Sequence, residues 1–477
     1  MAAAAAAVGG KASPATRSPV PLLALLGAGT ALRLFLFLHA PDLVAALTAR
    51  PETSTPISSF TALREAVHLQ ALSHSQGHGG RIAVSTVVHH SPLVIASLGK
   101  VLRLRRWELA SALVWSFFDA ASAWALYQAV LLKARTKTRE EKDAVEEEDE
   151  DAAHSRGRTV AALFLANPYT IASCLARSTT SLSTSLTLLA VSQALAGNAF
   201  LSTTVLSLAA HNSLWPVLQL PPLLLLARRQ TKLLSGGRGG GGALVRAILG
   251  AVVGLGGGTY LAWQLQGQSW DWVFSSWGSI ILLTDLTPNI GMWWYFIMEM
   301  FDHFRDFFLL TLNVHVLSYV APFTVKYRDD PLFAMTALAG ILATFQSYPT
   351  VADTALFLGL LTLHHEIFPY FRHPLVTVLL FTYSSLLLPT FHSLWLGPGA
   401  RSGSGNANFF YAITLVWGLG GAAAVLDACW AWGRAQWERE RRRRGPGAAA
   451  VALAARVDGA GAVEGKKPAT RRVVVQL

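Results

Sequence analysis

Charge is what this sequence has least of: Asp, Glu, Lys and Arg make up 14% of its 477 residues, against about a quarter in soluble domains. An ordinary soluble globule is excluded. Cysteine is almost missing too, since only Cys174 and Cys429 occur, each inside an apolar run. Two such thiols support neither a disulfide framework nor a cysteine zinc site, and neither qualifies as an aqueous nucleophile; both read as small buried hydrophobes. The glycine run Gly236 to Gly242 lacks the Gly-x-x-x-x-Gly-Lys-Ser/Thr pattern of a phosphate cradle and reads as a linker. His89-His90 and His364-His365 fall outside any His-Glu-x-x-His pattern, so they read as interface or packing residues rather than metal ligands. No Asn-x-Ser/Thr sequon marks a glycosylated face. Nor is an internal repeat of the transporter kind detected.

Hydrocarbon takes the place of charge. Hydrophobic residues reach 52%, the mean hydropathy is +0.39, and apolar runs recur from Val20 to Trp430 with no soluble stretch of domain size between them. The expected fold is an all-α integral membrane protein with about twelve transmembrane helices. Crossings are expected over Val20 to Leu38, Leu109 to Leu132, Thr159 to Ala176, Ser183 to Leu195, Phe200 to Ala210 and Leu214 to Leu226. Six more follow over Ala243 to Leu265, Phe304 to Phe323, Pro331 to Phe345, Thr354 to His365, Pro374 to Phe391 and Phe409 to Trp430. Lys11 and Arg17 ahead of the first run suggest a retained signal anchor. Pro92 to Arg106, apolar but basic, reads as an amphipathic helix in the interface.

A net charge of +11 would suggest nucleic acid in a soluble protein. Here the basic residues sit in short loops and at the tail, as in Arg228-Arg229 and Arg441 to Arg444, which is the positive-inside pattern and implies no nucleic-acid partner. An even number of crossings then puts both termini in the cytoplasm. Three divisions result: a disordered N-terminus over 1–19, a membrane domain over 20–432 and a basic, disordered tail over 433–477. The acidic run Glu146 to Asp151 lies in a charged loop, Lys133 to Arg158, expected to be cytoplasmic and disordered. Loops His39 to Ser91, Gln266 to His303, Gln346 to Asp353 and His392 to Asn408 face the lumen.

Those lumenal loops hold the less ordinary sequence. In Asp285-Leu286-Thr287-Pro288-Asn289-Ile290-Gly291, Asp285 and Thr287 suit capping, Pro288 a first helical position, and Asn289 and Gly291 unusual backbone angles. The aromatic and acidic stretch from Trp293-Trp294 to Glu299, Asp302 and His303 follows directly. A capped turn before an interfacial aromatic belt accounts for Asp285 as a structural cap, but not for Asn289 beside those acids. Tyr348, in Gln346 to Asp353, repeats the theme of a polar turn opening a helix. So do Asn406 and Asn408 before Phe409, Phe410 and Tyr411, which suit sugar or phosphate hydroxyls above a lipid tail as well as they suit an N-cap plus belt. Arg33, Asp119, Asn167 and Asn212 are polar groups at hydrocarbon depth, costly unless they face protein or water; they are candidates for function, or for helix packing. Paired acids for catalysis are missing from the first lumenal loop, where Asp42, Glu52 and Glu65 are scattered. The Asp149-Glu150-Asp151 match belongs to the acidic run.

These residues resemble one known family. Asn167-Pro168-Tyr169-Thr170-Ile171 with Ser173-Cys174, Asp285 to Gly291 with Trp294-Tyr295-Phe296 and Glu299 to Phe304, Ser347 to Val351 with Asp353, and Asn408 to Leu415 are similar to PIG-U, a subunit family of the GPI transamidase. The resemblance implies a multi-pass endoplasmic reticulum protein with a GT-C-like arrangement, lacking glycosyltransferase activity and needing no cofactor. It also implies partners: the other transamidase subunits, among them the cysteine-protease-like catalytic one, the GPI lipid, the C-terminal signal of precursor proteins and membrane lipids. On this basis Asn289, Tyr348, Asn406, Asn408, Phe409 and Phe410 are expected to bind GPI or substrate, with no catalytic residue in this chain. The first lumenal loop departs from the family, since Ser75-Gln76-Gly77-His78-Gly79 replaces the usual Ser-Pro-Tyr segment, while His89-His90-Ser91-Pro92-Leu93 approximates His-x-x-Pro-Leu. The alternative of a different class is a GT-C mannosyltransferase using dolichol-phosphate-mannose.

Overall fold

Proline and the small polar residue before it set many of the helix starts. Ser91, Asn167 and Asp330 each accept a backbone N–H of the first turn (Leu93 at 3.4 Å, Tyr169 at 2.9 Å and Phe333 at 3.3 Å), and Pro92, Pro168 and Pro331 fill the first helical position, where a missing N–H costs nothing. The computed structural model describes residues 21–75, 88–140, 150–237, 240–397 and 403–458, the side chains of 74, 137–140 and 443–458 excepted. Among the described residues the structure is helical throughout, without a strand.

From the N-terminal side, α1 (Leu22–His39), α2 (Pro41–Thr48), α3 (Phe60–Ser75) and α4 (Pro92–Leu102) precede the long α5 (Trp107–Glu140). Next come α6 (Glu150–Ala166), α7 (Pro168–Leu175), α8 (Thr180–Leu195), α9 (Ala199–Asn212) and, after a 3-10 turn at Trp215–Gln219, α10 (Leu220–Leu234). A π-helical turn at Val253–Gly257 joins α11 (Gly240–Val252) to α12 (Gly258–Leu265), and the short α13 (Asp271–Val273), α14 (Ser279–Leu282) and α15 (Trp293–Met298) follow. The rest is α16 (Asp302–Ser318), α17 (Val320–Lys326), α18 (Pro331–Phe345), α19 (Val351–Leu361) with a 3-10 segment Thr362–Tyr370, α20 (Pro374–Leu396) and α21 (Asn408–Asp458).

Among the described residues, seven stretches are long and apolar enough to cross a membrane: Leu22–His39, Trp107–Thr136, Gly240–Leu265, Asp302–Lys326, Val351–Tyr370, Pro374–Leu396 and Asn408–Arg442. The chain is a multi-pass all-α membrane protein. Of the other expected crossings, four are shorter helices: α8 has 16 residues, α9 has 14, α18 has 15, and Leu214 to Leu226 is divided between the 3-10 turn and the 15-residue α10. Every residue of α18 from Pro331 to Thr344 is buried, as befits a helix apolar on all sides and enclosed by others.

Several boundaries differ from the sequence expectation. Thr159 to Ala176 is two helices rather than one crossing, because Pro168 ends α6 and Asn167 caps α7. The charged stretch Lys133 to Arg158, expected to be disordered, is helical at both ends, since α5 runs to Glu140 and α6 starts at Glu150; the part of the acidic run over 146–149 lies outside the described residues, as do 1–19, 76–79 and 459–477. Past residue 432, where disorder was expected, α21 continues to Asp458.

Glycine spacing explains one close helix pair. Gly250, Gly254 and Gly258 recur every four residues and lie against α9, where a Cβ would come within 2.2 Å of the Phe200 carbonyl oxygen, 2.8 Å of the Thr204 carbonyl oxygen and 2.3 Å of His211 Nε2 respectively. That approach lets α9 hydroxyls reach across: Thr203 donates to the Ala247 carbonyl at 2.7 Å and Thr204 to the Gly250 carbonyl at 3.1 Å.

Candidate functional site

Three sequence segments far apart in the chain meet at one end of the bundle. The first is the turn at Asp285, whose carboxylate accepts the Thr287 N–H at 2.9 Å and also the Thr287 hydroxyl. Asp285 does not cap a helix: the backbone stays irregular until α15 starts at Trp293, eight residues on, and the carboxylate closes the turn itself. His89 Nε2 lies 3.8 Å from Asp285 Oδ2, while its Nδ1 is 2.7 Å from the Ser275 carbonyl oxygen and 2.9 Å from the Ser279 hydroxyl. The His89 contact, ahead of the Thr287 bonds, holds the Asp285 carboxyl below the usual aspartate range against the opposing effect of burial. The neighbouring His90 is buried, and burial pushes it down to about 3, so it is neutral at physiological pH.

Tyr348 supplies the second segment. Its hydroxyl donates to the Asp285 carbonyl at 2.8 Å and accepts the Asp285 N–H at 3.2 Å, and the side chain is 1% exposed. Two more bonds fasten the same turn: Ser347 donates to the Ile280 carbonyl at 2.8 Å and the Trp293 indole to the Phe345 carbonyl at 3.0 Å. Behind it, the Asp353 carboxylate accepts the Thr350 N–H at 2.7 Å and hydroxyl at 2.9 Å, fixing the start of α19. Val351 N–H donates to the Glu52 carbonyl at 2.9 Å, which ties in the first loop. Burial raises the Glu52 carboxyl, opposed by its own amide and by Arg50.

The third segment is the start of α21. Asn406 and Asn408 are exposed; the Asn406 side-chain oxygen accepts the Asn408 N–H at 2.9 Å, and Asn408 accepts the Tyr295 hydroxyl. Below them Trp294, fully buried, stacks on Trp395 with centroids 5.8 Å apart and meets Phe410 at 6.1 Å; Tyr295 meets Tyr411 at 4.6 Å, and Tyr411 donates to the Met292 carbonyl at 3.1 Å. The two phenylalanines diverge. Phe410 is fully buried in this stack, whereas Phe409 is 62% exposed and stacks on Phe391 at 5.9 Å. Asn289 is fully buried, its Oδ1 accepting the Gly291 N–H at 2.7 Å. A Cβ on Gly291 would come within 2.7 Å of that oxygen and 2.8 Å of Pro349, so only glycine lets this turn nest against the Tyr348 turn. Of the six residues expected to bind, Asn406, Asn408 and Phe409 are thus exposed, whereas Asn289, Tyr348 and Phe410 are buried behind the surface, here called the mouth, where the three segments meet.

Three of the four polar groups expected at depth form a separate network. Arg33 is fully buried and donates from Nε to Asp119 Oδ2 at 2.6 Å. The break at Asn167-Pro168 supplies its other partners. Pro168 has no N–H for the Phe164 carbonyl, which accepts the Thr170 hydroxyl at 2.8 Å instead, and the Tyr169 N–H turns to Asn167. The Leu165 carbonyl accepts Arg33 Nη1 at 3.1 Å, and Nη2 donates to the Thr170 hydroxyl, also at 3.1 Å. Asn212 stands apart, its Nδ2 donating to the Thr179 carbonyl at 2.9 Å and the Ser183 hydroxyl at 2.7 Å. The sequence quoted Tyr295 only within a motif, gave no role to Trp395 or Glu52, and read His89 as an interface or packing residue; the pairing of His89 with Asp285 is a tertiary fact without a local signal.

The model of a family described as "GPI transamidase subunit PIG-U" matches residues 27–417. The chain belongs to the PIG-U family. It is similar to the GPI transamidase component GAB1 of Saccharomyces cerevisiae, 30% identical over 397 residues that cover 82% of this chain and 89% of the relative. It is also similar to the human GPI-anchor transamidase component PIGU, 32% identical over 434 residues, or 87% of this chain and 94% of that one. All three segments lie at least partly within the matched region, and the family match makes this chain a GPI transamidase subunit by family.

Proposed function

We propose that the chain is a non-catalytic subunit of the transamidase in the endoplasmic reticulum membrane, where it helps to recognise the GPI lipid, the C-terminal attachment signal of precursor proteins, or both. Both termini lie in the cytoplasm and the mouth faces the lumen. Asn406 and Asn408 hydrogen-bond glycan or phosphate oxygens from the rim, and Phe409 lies along the acyl region. Asn289, Tyr348 and Phe410 act from behind, by holding the rim in shape. The observation that carries this reading is the Tyr295 to Asn408 bond above the Trp294, Trp395 and Phe410 stack. It joins two exposed amides to an apolar base at one end of a membrane bundle, an arrangement suited to a ligand with a polar head and an acyl tail.

Asn406→Ala together with Asn408→Ala, expressed in cells lacking the endogenous subunit, tests this by the surface level of a GPI-anchored reporter. A fall of at least about tenfold at normal subunit abundance is expected, the equivalent of two lost hydrogen bonds. An unchanged reporter level removes the lipid-contact reading. Sugar transfer from dolichol-phosphate-mannose by the purified chain would instead favour the mannosyltransferase alternative.

A further inference from the structure

A small cavity of about 40 Å³ lies beside the mouth, with Tyr348 and Asp353 in its wall and Thr184, Asn212, Trp215 and Gln219 around it. Each of these last four presents one polar atom with no hydrogen-bond partner among the described residues: Thr184 Oγ1, Asn212 Oδ1, Trp215 Nε1 and Gln219 Oε1. None of the four residues is more than 8% exposed. The Asn212 amide cannot be flipped to cure this, because its Nδ2 already donates to the Thr179 carbonyl, which can only accept. Groups so buried cost stability when unpaired, and four around one cavity call for a common partner.

Their chemistry defines that partner. Two carbonyl oxygens need hydrogens, an indole N–H needs a lone pair, and the threonine hydroxyl takes either. A cation would satisfy the carbonyls and repel the indole N–H; an anion would do the reverse. A hydroxyl group offers both. The volume holds about three waters at 10–15 Å³ each and is too small for a sugar ring.

We propose that this cavity is a hydroxyl-binding site, occupied by a resident cluster of waters that joins the α8 and α9 ends to the Tyr348 turn. The same donor and acceptor set would take a single hydroxyl of a carbohydrate reaching in past Tyr348. Only that second source rests on the recognition role proposed above.

Pulsed hydroxyl-radical labelling of the full-length protein, purified with its accompanying subunits, tests the site directly. A resident water delivers label locally, so Trp215, after normalising for intrinsic reactivity, should be modified severalfold faster than Tyr127 and Phe381, which are about as buried (9% and 8% exposed, against 8%) but do not line the cavity. Equal normalised rates for all three residues would overturn the proposal. Gln219→Met and Thr184→Val give a second readout that survives a failure of labelling. If the cavity is hydrated, each near-isosteric change removes bonds to water and lowers the Tm; if it is dry, each removes an unpaired polar atom and raises it, which refutes the site. Repeating the labelling with saturating mannose separates the sources: a loss of Trp215 modification assigns the hydroxyl to the sugar, and unchanged modification assigns it to water.

Discussion

The Tyr348 hydroxyl clasps the Asp285 peptide from both sides, donating to its carbonyl at 2.8 Å and accepting its N–H at 3.2 Å across 63 residues of sequence. One phenol thereby satisfies a part-buried backbone donor and acceptor that belong to no helix, and so helps hold the irregular stretch before α15 in place.

Replacing Tyr348 by Phe removes the clasp while keeping the ring. Both Asp285 backbone groups then lose their partner, at a cost of about 1–3 kcal/mol. A lower Tm is expected, together with faster amide exchange over residues 283–291 than over α18. Unchanged exchange in that stretch would mean the bonds are dispensable.

The carboxyl of Asp285 makes stability depend on pH. Its folded pKa lies below the ordinary aspartate value, chiefly through His89, so its contribution is fully present above that ordinary value and is lost as pH falls through the folded one. Asp285→Asn should therefore destabilise the fold by no more than about 1 kcal/mol near pH 5, read as a lower Tm, with the gap closing below about pH 4. A gap that persists at pH 3 would assign the effect to something other than charge.

Within the membrane, Arg33→Met alone leaves Asp119 buried and unpaired, which costs about 3–5 kcal/mol. Adding Asp119→Leu removes the stranded acid, and most of the loss should return. Thermal unfolding of the single and double variants forms the cycle; a double variant no better than the single one would show that the carbonyls Arg33 serves at Gly29 and Leu165 matter more than its charge.

Gly254→Leu should split α9 from the π-helical turn, since even a Cβ there would lie 2.5 Å from Ser207 Cβ and 2.8 Å from the Thr204 carbonyl oxygen. Overpacking of this kind costs about 1–3 kcal/mol or more. Gly256→Leu, with open space around it, serves as the control and should leave the Tm unchanged within error.

What the sequence made legible was local. Class and helix content followed from the charge deficit and the apolar runs, and the polar turn Gln346 to Asp353 does open a helix, although α19 starts at Val351 rather than Thr354 because Thr350 and Asp353 cap it. Asn167-Pro168 carried its signal in plain view, yet the hydropathy window ran across it, because a proline changes backbone pairing without changing polarity. Pairings across the chain left no local trace. Arg33 and Asp119 each stood out as costly at depth, but nothing in either neighbourhood points 86 residues away. Asn289 was read as an exposed binder because turn residues usually are; burial of the turn under Tyr348 directs its amide inward. The cavity beside the mouth did leave a trace, in the density of Ser and Thr from Ser178 to Thr187, unusual at hydrocarbon depth.

The unbroken course of α21 has a mechanical consequence. At 1.5 Å per residue its 51 residues make a beam about 77 Å long. One end is pinned where Asn408 meets Tyr295, the middle where Asp427 accepts the Arg372 and His373 N–H groups at 2.8 and 3.0 Å, and the far side where Glu438 takes the Tyr370 hydroxyl at 2.8 Å. The same helix therefore ties the Tyr295 end of the bundle to the Tyr370 end, so a change in the tilt of its first turn strains the Asp427 and Glu438 contacts in step.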